Sequence, residues 1–203
     1  MSSWDATRRA FVEAGAWFVE TVPSVGDRWD EPALGEWDVR ALVGHAGRSF
    51  LTVESYLQQP ATAVEVASAV DYYRATRAIA AGPDVAERGR EAGRRLGEDP
   101  VSSVRAIATR VLALVEDADG TELLTTVAGG MRLGDYLPTR TFELVVHTLD
   151  LGRAVGLALE PPARPARQVL GLITELVVGD GHSAALVLAA TGRGGLPPEF
   201  SVL

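Results

Sequence analysis

Glu143 and His147 stand four residues apart in the segment Arg140-Thr-Phe-Glu-Leu-Val-Val-His-Thr-Leu-Asp150, in a chain with only three histidines. On a helix that spacing stacks a carboxylate and an imidazole on one face, with Cβ atoms about 5–6 Å apart. That is the geometry of half a metal site. His45 lies in a second apolar helical pattern, Trp37-Asp-Val-Arg-Ala-Leu-Val-Gly-His45. A fold that brings the two helices together would supply a third ligand, and two histidines with a glutamate and an open fourth position form a common catalytic zinc set. The plainer account is an ion pair between Glu143 and Arg140 beside a structural histidine. Glu143 sits in the apolar run Phe142 to Val146, where a buried carboxylate without a partner is costly. It needs solvent, Arg140 or a cation shared with His147.

Asp150 extends the polar stripe Tyr136, Arg140, Glu143, His147, Asp150 along an otherwise apolar helix. It is a candidate fourth ligand, a candidate orienting acceptor for a histidine, or a candidate proton acceptor. A solvated residue near a helix end is the alternative. His45 is flanked by Gly44 and Gly47, and each glycine inside a helix costs roughly 1 kcal/mol relative to alanine. Close approach of a neighbouring helix would compensate, and the ligand-bearing helix is the expected neighbour. His182, in Gly181-His182-Ser183, reads as a loop residue, and Gly192-Arg-Gly194-Gly195 as a turn. No Gly-x-Ser-x-Gly elbow and no His-Glu-x-x-His sequence is present, which argues against serine hydrolase and zincin templates.

The elements that must position these residues follow from apolar periodicity. Ala6, Ala10, Phe11, Ala14, Trp17, Phe18 and Val22 mark a first helix over 3–22. A turn-rich stretch follows from Pro23 to Gly35. Asp38 is the expected N-cap of a second helix that runs to about Gln59 and stops at Pro60. A third helix is expected over Ala63–Ala81, closed by Gly82-Pro83, and Asp84 to Leu96 is expected to be a polar helix or a mobile connection. Glu98-Asp99-Pro100 opens a further helix. Thr121 to Leu133 reads as a hairpin or extended loop around Gly129-Gly130. The ligand helix is expected over about Gly134–Val155 with Pro138 near its first turn, followed by a helix over Ala166–Val178. Ser183 to Ala190 is compatible with helix or buried strand, and the tail reads as extended.

The length of 203 residues suits one substantial core. We expect one domain over 1–203, with a bundle core at about 3–155 and a C-terminal helix and tail at 156–203. A mainly α, up-down-type four-helix bundle with a crossover connection answers the need of four long amphipathic helices to bury their stripes. The net charge of −8 argues against nucleic acid, whose affinity rests on cationic contacts to phosphate. The one basic concentration, Arg88 to Arg95, is interleaved with Glu87 and Glu91 and reads as a salt-bridged exposed face. There is no cysteine, so thiolate ligands and a cysteine nucleophile are excluded and any thiol must come from outside. With no signal-like or membrane-spanning run, a cytoplasmic protein is expected, and both monomer and homodimer are compatible. Lysine and asparagine are absent, as a GC-rich genome would produce.

Three segments resemble the mycothiol-dependent maleylpyruvate isomerase-like family within the DinB-like four-helix-bundle metalloproteins. They are Gly35-Glu-Trp37-Asp-Val-Arg-Ala-Leu-Val-Gly-His45, the stretch from Met131 to Leu151 that carries Glu143, His147 and Asp150, and the end from Ala189-Ala-Thr-Gly-Arg193 to Phe200-Ser-Val-Leu. The resemblance implies a DinB-like bundle, with His45, Glu143 and His147 as ligands of a divalent metal. Zinc is the foremost candidate, with nickel, iron and manganese also compatible. It further implies a low-molecular-weight thiol cosubstrate, mycothiol or another, and transfer to or isomerisation of a small electrophile. Asp150 would take the thiol proton through water and Arg140 would bind a carboxylate. Maleylpyruvate isomerase itself has a larger C-terminal domain that contributes to its pocket, so a broader thiol transferase is expected here. A non-catalytic metal-binding or interaction bundle and a metal-dependent hydrolase are the alternatives.

Overall fold

The computed structural model describes residues 3–80, 84–198 and 200–202. Helices dominate it. Four long ones, α1 (Trp4–Thr21), α2 (Val39–Leu57), α5 (Pro100–Asp117) and α6 (Leu133–Ala154), pack as a ring in which α1 and α2 each touch both α5 and α6. Phe11 and Phe18 of α1 meet Phe50 of α2 at the centre, with ring centroids 5.8 and 6.3 Å apart. Leu42, Leu137 and Leu144 are fully buried in the same cluster. The long connection between α2 and α5 carries α3 (Ala69–Ala80) and α4 (Asp84–Arg95). Beyond α6, α7 (Ala163–Gly179) covers α1 and α6, and α8 (Ser183–Ala190) rests on α7 with no buried residue. Among the described residues no helix is long and apolar enough to cross a membrane.

Local chemistry sets the boundaries. The Asp38 carboxylate accepts from the Ala41 amide at 2.7 Å and starts α2, and Asp99 accepts from Ser102 at 3.0 Å ahead of α5. These are side-chain caps of otherwise unsatisfied first-turn amides. The stretch after α1 is not merely a turn: it holds a 3₁₀ helix (Val22–Val25) and a small antiparallel pair, β1 (Pro32–Leu34) with β2 (Trp37–Asp38). The hairpin expected before the ligand helix is present as β3 (Leu123–Thr126) and β4 (Gly129–Arg132). α6 begins one residue before the expected start, and Pro138 lies in its second turn, where it removes the bond to the Gly134 carbonyl.

The third helix starts six residues later than periodicity suggests. Residues 59–66 are spent on the hairpin instead: Ala61 donates to the Leu123 carbonyl at 3.0 Å and Thr125 to the Gln59 carbonyl at 2.7 Å. The amides of Glu65 and Val66 both donate to the Gly130 carbonyl, and the Glu65 carboxylate accepts from the Gly130 amide at 2.7 Å. Ladder bonds therefore displace helical ones over this stretch. Ala81 and the Gly82-Pro83 closure lie outside the described residues.

The neighbour that closes on Gly44 is α4, not the expected α6. A Cβ added at Gly44 would come within 2.2 Å of the Gly93 amide nitrogen, and one at Gly93 within 2.8 Å of the Arg40 carbonyl. The two backbones touch where neither residue has a side chain. The outer face of α4 is a ladder of Arg90 to Glu87, Arg94 to Glu91 and Arg95 to Glu91. Gly47, by contrast, faces open space. Gly44→Ala should therefore cost about 1–3 kcal/mol by forcing the helices apart and lower the Tm by roughly 5 °C. Gly47→Ala should be neutral or stabilising by roughly 0.5–1 kcal/mol. Thermal denaturation of the two variants measures the contrast, and equal losses would contradict it.

Candidate metal centre

His45 lies in the second turn of α2, one edge of its ring turned to α6. Its ring packs against Trp37 at 4.4 Å between centroids, and Trp37 is itself pinned by α4: its indole N–H donates to the Ala86 carbonyl at 2.9 Å, and its ring lies where a Cβ on Gly89 would fall. On the other side the His45 ring meets the His147 ring edge-on, with centroids 4.9 Å apart. α6 presents Glu143 and His147 from one face, as the four-residue spacing requires. His147 Nε2 is 3.3 Å from Glu143 Oε2, and His147 Nδ1 is 3.2 Å from Asp150 Oδ2. The other Glu143 oxygen accepts from the Tyr73 hydroxyl at 2.9 Å, which also lies 3.1 Å from the Thr139 carbonyl.

One ligating atom from each of His45, Glu143 and His147 lies within 4.8 Å of the others. Ligands of a tetrahedral ion at about 2.0–2.2 Å stand roughly 3.4 Å apart, a contraction within reach of side-chain torsions. The donor atoms suit a divalent ion in other respects. Burial, with the nearby charge of His147, pushes His45 down to about 3, so its imidazole is neutral and has a lone pair to give. Its Nδ1 is buried without a hydrogen-bond partner. Burial would raise Glu143, but the hydrogen bond from His147 and the charge of Arg140 outweigh it and hold the carboxyl down to about 2. Burial would likewise lower His147, yet hydrogen bonds to Asp150 and Glu143 take it up to about 9. A proton on His147 Nε2 thus occupies the space between two ligands that a cation would fill.

These side chains line a cavity of about 570 Å³. Glu143 and His147 keep 20% and 12% of their side-chain surface exposed, enough to be reached from it. Asp150 is not on the cavity wall; its carboxylate is behind His147, which is the placement of an orienting acceptor. Arg140 makes no ion pair with Glu143. Its Nε donates to Thr139 Oγ1 at 3.0 Å, and its guanidinium lies 5.6 and 5.0 Å from the ring centroids of Tyr72 and Tyr136. Tyr136 faces the core and bonds Thr52. His182 stands at the start of α8 with its ring 5.9 Å from Phe200 and takes no part in this site.

Sequence reasoning missed Tyr73, Arg48 and Arg88. Tyr73 arrives from α3, and nothing in the sequence ties it to Glu143. Arg48 follows His45 by three residues, so helical spacing alone places it on the same face. Arg88 belongs by sequence to the charged run of α4, yet it lines the cavity and has no carboxylate partner.

A protein-family comparison matches residues 8–152 to the mycothiol maleylpyruvate isomerase N-terminal domain. The chain belongs to that family. The matched region contains the four bundle helices nearly whole together with His45, Glu143, His147 and Asp150, and leaves α7 and α8 outside it. Comparisons with curated proteins and with solved structures gave no match.

If the three side chains share an ion, metal-free protein should take up about one equivalent of zinc per chain. Alanine at His45, Glu143 or His147 should weaken uptake by more than about 100-fold, beyond the 10–100-fold common for supporting residues. Because zinc must displace the His147 proton, apparent affinity should rise from pH 6 toward pH 9 and level above it. Titration with a competing chelator across that range measures both. Wild-type affinity in all three variants would rule the site out.

Proposed function

We propose that this chain is a metal-dependent transferase or isomerase that joins a low-molecular-weight thiol, mycothiol foremost, to a small electrophile. The single observation that carries the reading is the three-ligand cluster of His45, Glu143 and His147 opening onto a cavity, in a chain of the mycothiol maleylpyruvate isomerase family. A divalent ion bound there, with zinc the first candidate, supplies a lowered thiol pKa and hence a thiolate at neutral pH.

The chain's own residues then have separate tasks. Asp150 holds His147 by Nδ1 and leaves Nε2 directed at Glu143 and the cavity, so we assign it as a positioning residue rather than the proton acceptor. Tyr73 occupies one Glu143 oxygen and leaves the other free. The thiol proton leaves to solvent through the cavity mouth; as the sulfur lone pair forms the new bond to the electrophilic carbon, the π pair of the attacked double bond shifts onto the substrate and takes up a proton from solvent. Arg140, braced by Tyr72 and Tyr136, faces the cavity as a cation for an acidic group on the substrate. The reading favours catalysis over a structural metal because, among the described residues, three side chains rather than four have ligating reach.

Consumption of an electrophile panel with mycothiol, bacillithiol, glutathione or no thiol, each with and without chelator, tests the activity. Turnover should require both metal and thiol. Metal-dependent turnover without thiol would replace the reading with hydrolysis, and inactivity across the panel would leave a binding bundle.

Asp150→Asn should lower zinc affinity by about 10–100-fold while zinc-saturated protein keeps most of its turnover. Full zinc affinity with lost turnover would return Asp150 to proton transfer.

A further inference from the structure

We propose that Arg48, Arg88 and Arg140 form an anion-binding subsite in the cavity wall beside His45, Glu143 and His147, and that it takes the carboxylate or phosphate group of a small ligand. Calling that ligand the electrophile rests on the thiol-transfer reading. Anion binding itself does not.

Three helices deliver these arginines to one place. Arg48 is one turn beyond His45 on α2, Arg140 is one turn before Glu143 on α6, and Arg88 comes from α4. All three are partly buried. Among the described residues every other partly buried arginine has a carboxylate or carbonyl partner. Arg8 pairs with Glu116, Arg77 with Asp180 and Arg90 with Glu87, while Arg28 and Arg40 donate to backbone carbonyls. Arg48 and Arg88 have neither kind of partner, and the terminal nitrogens of Arg140 have none either. A partly desolvated guanidinium without an anion is unfavourable. Here burial and the neighbouring charge of Arg88 also hold the Arg48 group below its usual pKa.

The charges in the cavity do not balance. Its wall holds Arg48, Arg77, Arg88 and Arg140 against one carboxylate, Glu143. Arg77 is neutralised by Asp180, which leaves three guanidiniums facing one acid in a protein whose net charge is −8. A local excess of that sign concentrates anions and fixes their orientation. Arg48 and Arg88 also border a second cavity of about 460 Å³, whose wall adds Arg95, Glu87 and Glu91, but there Arg95 is paired with Glu91 and Glu87 adds a further carboxylate. The anion therefore belongs on the side of the metal cluster.

Calorimetric titration of chelator-treated protein at constant ionic strength removes the metal as a competing anion site. Succinate and inorganic phosphate separate the carboxylate from the phosphate source, and uncharged succinamide controls for the carbon frame. At least one anion should bind and succinamide should not. Arg48→Gln and Arg88→Gln should each weaken that binding by about tenfold, and the double variant further, with a melting temperature no lower than that of the wild type to show that the fold persists. No anion binding by the wild type, or equal affinity in the variants, would overturn the subsite. Anion binding without thiol turnover would refute the transferase reading and leave the subsite standing.

Discussion

The crossing of α2 and α4 at Gly44 and Gly93 is the contact on which the site's geometry depends. Two backbones can come this close only where both lack a Cβ. The approach sets α4 near enough to hold Trp37 by its indole N–H and to seat its ring over Gly89. Trp37 then limits the His45 ring from one side while His147 limits it from the other. The same approach brings Arg88 into the cavity. A helix that contributes none of the three clustered side chains therefore orients one of them and supplies part of the cavity wall.

Electrostatics does the complementary work on α6. A carboxylate and an imidazolium are paired in a largely apolar bundle, each tolerable through the other, and the charge of Arg140 adds to the support of Glu143. Glu143 is ionised because His147 and Arg140 oppose the cost of its burial, and His147 stays protonated because Glu143 and Asp150 do the same for it. His45, which has no such partner, is neutral. The division into one neutral and one charged imidazole arises from which helix face holds the acids.

Much of this was legible in the sequence where the signal is periodic and local. Glu143 and His147 share a face because four residues make about one turn, and Asp38 and Asp99 cap helices because their carboxylates reach the amide three residues on. What the sequence did not reveal depends on tertiary partners. Residues 63–68 have apolar positions compatible with a helix, but the amides of Glu65 and Val66 are claimed by the β3–β4 hairpin. Gly44 announced a close approach without naming the helix that makes it. Tyr73 reaches Glu143 from 70 residues away in the chain, a relation no local pattern contains. Arg88 looked like its neighbours in a charged ladder, yet its position on the α4 face sends it inward.

The irregular segment 59–66 ties the end of α2 to the hairpin from which α6 begins, through the Gln59, Ala61, Glu65 and Val66 backbone groups. Glu65 adds a side-chain clasp on Gly130. The two helices that carry His45, Glu143 and His147 are thereby locked in axial register by main-chain bonds that no ion needs to form. Spacing between the three side chains is set at folding, so capture of a cation would require only side-chain rotation and proton loss. The free energy of binding a cation there would go to coordination rather than to ordering the scaffold, and the scaffold would outlast the ion.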